Sequence, residues 1–200
     1  MYNEGDSTVS SIDRSENQFR ESLVKYDPLT VVQRHITSGS CIMLPEEQYT
    51  ELKQRISSHL EVHHSSILVV GSAKLGFSIA PAKRWMRFSE RSDLDVAIVS
   101  SELYIAVWKE LAALVSTDPV LDWPSRKKFR FLDRKLHGWI RPDLLPRSAA
   151  LPLADEWFEY FRQLTASGDC GPYKITAGLY FDMYFLEAYQ SRAVSSCRSN

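Results

Sequence analysis

The spacing of apolar positions along this chain changes at defined points, and each change predicts an element. Tyr49, Leu52, Ile56 and Leu60 recur at helical intervals after Pro45, with Glu46 and Glu47 at the positive end, predicting an amphipathic helix. Upstream, Asp27-Pro28 and Gly39 bracket a shorter helix from Pro28 to about Ser38, with Asp27 as cap. At Ser66 the helical period gives way to a solid apolar block, Ile67-Leu68-Val69-Val70, which runs into Gly71-Ser72. This predicts a buried strand entering a tight turn. A second block ends in the β-branched run Val96-Ala97-Ile98-Val99 and predicts another buried strand. Ser100 or Ser101 then caps a helix with a stripe of Leu103, Val107, Leu111 and Leu114.

The rest of the pattern is less regular. Residues 117–149 hold four prolines and a dense basic run, then Gly138-Trp139-Ile140-Arg141-Pro142-Asp143. A strand is expected around 138–141, although Pro142 cannot continue a central ladder. Trp157, Phe161 and Leu164 fit one helix, and Ile175, Leu179, Met183 and Leu186 fit another, separated by the turn-forming stretch Ser167–Pro172. The first residues are polar and Ser-rich, with little to bury. The expected organisation is a disordered tail over 1–17, a core with N-terminal helices over 18–149, and a C-terminal helical subdomain over 150–200.

Composition narrows the class. With 200 residues, 44% of them hydrophobic, the chain can build a real core; at this size roughly 70% of the unfolded surface is buried on folding. A net charge of -1 excludes whole-chain electrostatic attraction to nucleic acid or an anionic membrane. Cys41, Cys170 and Cys197 fit neither a disulfide framework nor a zinc-site spacing. The beginning of the chain lacks the apolar core of a secretory signal, and no window approaches the ~20 apolar residues of a membrane span. A cytoplasmic protein with no membrane association is expected.

Two short segments carry the candidate chemistry. In Ser92-Asp93-Leu94-Asp95, strand alternation puts Asp93 and Asp95 on one face and Leu94 on the other. Neighbouring carboxylates repel when ionised unless a cation lies between them. Hard oxygen ligands of this kind favour magnesium or manganese. In Gly71-Ser72, glycine lets a phosphate approach the backbone, and the following N–H and hydroxyl can hydrogen-bond it. A helix starting there would add favourable partial charge. Lys74 either reaches a phosphate from the next turn or is solvated.

The string Val70-Gly71-Ser72, Gly76-Phe77-Ser78 and Ser92-Asp93-Leu94-Asp95-Val96 resembles the hallmark of the DNA polymerase β-like nucleotidyltransferases. The likeness spans roughly residues 66–100 and points to the small stand-alone bacterial type. It implies an α/β (α+β) fold, a small mixed-sheet nucleotidyltransferase core with packed helices and a C-terminal helical subdomain. It also implies Mg2+ or Mn2+ on Asp93 and Asp95, and a nucleoside triphosphate such as ATP contacting Gly71, Ser72, Lys74 and Ser92. The implied reaction moves a nucleoside monophosphate to an acceptor hydroxyl on a protein, an RNA or a small molecule, releasing pyrophosphate, in bacterial stress or phage defence. The alternative is a nucleotide-binding sensor or antitoxin-like partner that keeps the fold without turnover.

Two features depart from the hallmark. The spacer between Ser72 and Asp93 is long, so Pro81–Arg91 reads as an inserted loop. The third carboxylate implied by the resemblance has no clean apolar-Asp-apolar strand to carry it. Asp143 is the first candidate for that role, as general base or ligand, ahead of Asp122 and Asp182. The basic run Arg126, Lys127, Lys128, Arg130, Arg134 and Lys135 suits a triphosphate clamp, an RNA backbone or a solvated helix face. Tyr173 and Lys174, beside the Gly171-Pro172 turn, are further candidates for nucleotide contact. His59, His63 and His64 read as surface residues.

Overall fold

A computed structural model of the chain describes residues 4–198. Its described residues form eight α-helices and a mixed four-stranded sheet. The helices are α1 (Glu4–Lys25), α2 (Pro28–His35), α3 (Glu46–Leu60), α4 (Gly71–Leu75), α5 (Ser101–Thr117), α6 (Ser125–Leu136), α7 (Leu153–Ser167) and α8 (Met183–Ser196). The strands are β1 (Ile67–Val70), β2 (Leu94–Val99), β3 (Trp139–Ile140) and β4 (Ile175–Tyr180), in the spatial order β1-β2-β4-β3. β1 runs antiparallel to β2, β2 parallel to β4, and β4 antiparallel to β3.

Helices cover both faces of this sheet. On one, Ile67 and Val69 of β1, Leu94, Val96 and Ile98 of β2, and Ile175 and Leu179 of β4 join Ile140. They meet the apolar stripes of α3, α5 and α7, through Leu52, Ile56, Val107, Leu111, Trp157 and Phe161. On the other, Leu68, Val70, Ala97 and Tyr180 meet Phe19 of α1, Val31 and Val32 of α2, and Leu186 and Val194 of α8. Strand alternation sorts the residues between these cores. No helix among the described residues is long and apolar enough to cross a membrane.

Several predicted elements appear as expected. Asp27 caps α2, accepting from Thr30 N–H, with Pro28 in the first turn. Ser100 caps α5 by accepting from Leu103 N–H. β3 is a two-residue strand that stops before Pro142, as a missing N–H requires.

Two expectations are corrected. The segment expected to be a disordered tail through residue 17 is helical from Glu4; residues 1–3 lie outside the described part. α1 is held at Ile12 and Phe19, both buried, seven residues apart on one helix face. Serines occupy the same stripe between and beyond them: Ser15 Oγ donates to the Leu75 carbonyl at 3.0 Å, and buried Ser22 bonds His35 at 2.8 Å. Small polar residues that find partners let a helix bury a stripe that looks hydrophilic in sequence.

The second correction concerns Ile175–Tyr180. Its expected helix is strand β4, hydrogen-bonded between β2 and β3, so the stretch after 150 supplies part of the sheet rather than a purely helical subdomain. A spacing of four suits both a helix and alternate positions of a strand, which made Ile175 and Leu179 ambiguous. The parallel partner β2 decides it. The helix that does follow, α8, starts at Met183 on an Asp182 cap whose side chain accepts from Phe185 N–H.

Candidate functional site

The chemistry-bearing residues converge where β1 ends and β2 begins. In the antiparallel register Val70 lies opposite Asp95, so the chain leaving β1 turns at Gly71 directly beside that carboxylate. Gly71 has φ +67°, in the left-handed region. A Cβ built on it would lie 3.1 Å from Asp95 Oδ2. Any larger residue would therefore be strained and would crowd the carboxylate. α4 starts at Gly71 but is only five residues long, too short to add much dipole to the site.

β4 supplies the other side. Thr176 is the register partner of Asp95, and its hydroxyl donates to Asp95 Oδ1 at 2.7 Å. One carboxylate oxygen is thus fixed by β4 while the other faces the Gly71 turn. Lys174, just before β4, is tied to the site through its carbonyl, which accepts from Leu94 N–H at 2.8 Å. Asp93 is exposed at the mouth of β2.

The electrostatics follow from this layout. The Asp95 side chain keeps an exposed surface, but the protein around it raises its pKa above the ordinary carboxylate value. Burial is the largest cause; the Thr176 hydrogen bond opposes it, the like charge of Asp93 adds to it, and the Arg141 and Lys174 cations oppose it more weakly. A carboxylate held this way gains from a cation that arrives with its own ligands. Magnesium commonly takes one or two carboxylates and completes its shell with waters and substrate phosphates. The open Gly71 turn beside Asp95 Oδ2 and the hard-oxygen pair of Asp93 and Asp95 fit that requirement.

Other expected site residues are placed differently. Lys74 does not face the turn: it is buried, and its Nζ donates to the carbonyls of Ser38, Gly39 and Ser40 at 2.6, 2.5 and 2.8 Å. Burial lowers its pKa to about 8, so at neutral pH the ammonium stays charged and is solvated by those three carbonyls. Lys74 thus clamps the loop before α3 onto α4. Ser92 closes a turn, its hydroxyl accepting from Ser89 N–H at 3.1 Å.

Asp143 is not gathered with the acidic pair. It lies in the short 3-10 turn after β3, where Arg141 engages both carboxylate oxygens at 2.9 and 3.0 Å. Among the described residues no group of three or more Asp, Glu, His or Cys side chains could hold a metal ion. Asp182 serves as the α8 cap. Arg141, rather than Asp143, is the group from this turn whose charge acts on Asp95.

Sequence reading missed two contributors, Thr176 and Arg141. Thr176 was hidden by the helical assignment of its segment; period-two alternation in Ile175–Tyr180 is the signal that would have found it. Arg141 gave no distinct signal, because its relation to Asp95 depends on β4 lying between β2 and β3. Two surface pockets, of about 490 and 190 Å3, lie elsewhere: one is lined by Arg55, His59 and Tyr160, the other by His137, Tyr184 and Arg192. Comparison with known proteins returns nothing: no protein-family model, curated protein or solved structure matches this chain.

Proposed function

We propose that this chain is a divalent-cation-dependent nucleotidyltransferase of the DNA polymerase β-like type. The observation that carries the reading is the Gly71 turn standing against Asp95, with Oδ2 only 3.1 Å from where a side chain would begin. It puts a backbone suited to phosphate beside carboxylates suited to magnesium. A triphosphate would lie with its phosphates on the Gly71 and Ser72 backbone and the Ser72 hydroxyl. Asp93 and Asp95 would hold Mg2+ or Mn2+, which supplies charge neutralisation and Lewis acidity when bound. Lys174 and Arg141 add positive charge around Asp95.

In the reaction, an acceptor hydroxyl oxygen bonds to the α-phosphorus in line. The bond from that phosphorus to the bridging oxygen breaks, pyrophosphate leaves, and the hydroxyl proton passes to water. The residues named here position the phosphates and balance their charge. The acceptor is a protein, an RNA or a small molecule, in a cytoplasmic setting of bacterial stress or phage defence.

A second reading, binding without transfer, is favoured by Thr176. The later strand that pairs with Asp95 offers a hydroxyl there, and the third carboxylate implied by the resemblance is not gathered with the acidic pair. One experiment separates the two readings: α-labelled triphosphates with Mg2+ or Mn2+, in parallel with thermal unfolding. At a hundredfold excess over Kd, binding stabilises by about 2.7 kcal/mol, a rise in Tm on the order of 5–10 °C for a chain of this size. Transfer of label that disappears in the folded Asp93→Ala/Asp95→Ala variant supports the transferase. A Tm rise without transfer supports the sensor, and no metal-dependent rise at all sinks both.

A further inference from the structure

A second surface, away from the acidic pair, has the features of a protein-docking site. α6 is amphipathic twice over. Its inner face buries Phe131 against Trp123, with ring centroids 5.3 Å apart. Its outer face presents Phe129, Leu132 and Leu136 at i, i+3 and i+7, which are 74%, 51% and 79% exposed. At about 100° per residue these three form one stripe. The same geometry sets Lys128 and Lys135 along one side of it and Arg126 and Arg130 along the other. Asp133 is the helix's one acid, and it is paired with Arg134 at 3.4 Å.

The stripe continues onto α5. Its core face uses Tyr104, Val107, Leu111 and Leu114, and Val115, Trp108 and Ile105 extend the apolar surface along one flank of that face, where they are exposed. The two outer stripes approach each other at Lys135: its ammonium lies 3.3 Å from the centroid of the Trp108 ring, and its carbonyl accepts from the Tyr104 hydroxyl at 3.3 Å. Exposed aromatic and aliphatic side chains in one patch, rimmed by charge, mark interaction surfaces more often than chance exposure does.

The geometry points to one occupant: an amphipathic helix of a partner protein, with an apolar stripe and acidic residues on both flanks. The two basic rails of α6, on either side of an exposed apolar stripe, set that charge pattern. Pairing α6 with α6 of a second copy would bring two strongly basic helices together. A nucleic-acid backbone would want cations where Leu132 and Leu136 stand.

The surface can be tested with a labelled synthetic 20-residue helical peptide carrying leucines on one face and glutamates on both flanks. Fluorescence anisotropy on the full chain should show saturable binding that weakens as salt rises. A peptide with lysine flanks should bind at least tenfold more weakly. Phe129→Ser/Leu136→Ser should reduce affinity for the acidic peptide at least tenfold. Arg126→Glu/Lys128→Glu should shrink the wild-type preference for the acidic peptide at least tenfold. Because these four side chains are exposed, the variants should keep the wild-type circular dichroism and Tm. Equal binding of both peptides, or binding unaffected by the two variants, would overturn the proposal. So would preferential binding to a single-stranded 20-mer RNA or to phosphatidylserine vesicles, or a dimer by light scattering that either variant dissolves.

Discussion

The two faces of the four-stranded sheet are built to different specifications. One carries an unbroken apolar surface in which Ile67, Val69, Leu94, Ile98 and Ile175 are buried under α3, α5 and α7. The other begins the same way, with Leu68, Val70, Ala97 and Tyr180, but its β1–β2–β4 corner is given to Gly71, Asp95, Thr176 and Gly178. A strand that must hold both a core and a site does so by alternation: Leu94, Val96 and Ile98 serve the first while Asp95 serves the second. The apolar face supplies the stability that lets the opposite face keep two acids close together.

Breaking the apolar face should have the largest effect. Ile98 is fully buried at the centre of β2, opposite Ile67 in register and beside Leu179 on β4. Ile98→Ala removes three carbons from a packed layer and should cost about 2–5 kcal/mol in urea unfolding. A loss below about 1 kcal/mol would mean that this layer is looser than the alternation implies.

The opposite face should answer to a smaller change, made where it has no side chain at all. Gly178 sits on β4 between Thr176 and Tyr180, and a Cβ there would come within 2.5 Å of Trp139 Nε1. The Trp139 ring is stacked on Tyr180 with an interplanar angle of 3° and is flanked by Tyr189, so it has little room to retreat. Gly178→Ala should cost about 1–3 kcal/mol, the usual range for overpacking. Displacing Trp139 should also change its fluorescence. An unchanged Tm and spectrum would show that the ring is free to move.

The same contrast explains what sequence could and could not reveal. The apolar face was legible because solid runs such as Ile67–Val70 and helical stripes such as Tyr49, Leu52 and Ile56 announce themselves by period alone. Half of the candidate site was legible for a related reason: Gly71-Ser72 and Asp93-Leu94-Asp95 are short segments whose side-chain chemistry can be read without coordinates. The other half depends on strand order. Thr176 meets Asp95 only because β4, from 81 residues further along the chain, inserts parallel to β2. Lys74 misled because sequence shows a cation near the Gly71-Ser72 turn, not the three carbonyls of Ser38, Gly39 and Ser40 that take its ammonium. α1 was hidden because Ser15 and Ser22 do the work of apolar residues by finding partners.

The smallest effect should come from Asp95 itself, and its sign is the informative part. Its pKa is raised in the folded protein, chiefly by burial. From 3.8 upward to that raised value, the folded chain keeps a proton that the unfolded chain has released, so stability falls as pH rises through the window. Asp95→Asn removes the charge but keeps an oxygen that can accept from the Thr176 hydroxyl. At neutral pH and without metal the variant should therefore be slightly more stable, by a small margin because solvent at the exposed carboxylate screens much of the effect. Its stability should also fall less as pH rises above 3.8. Adding Mg2+ or Mn2+ with triphosphate should then invert the ranking, stabilising wild type and leaving the variant unmoved. If Asp95→Asn is instead the less stable protein without metal, the carboxylate is a structural partner of Thr176, and the contrast between a packing face and a binding face no longer holds at this residue.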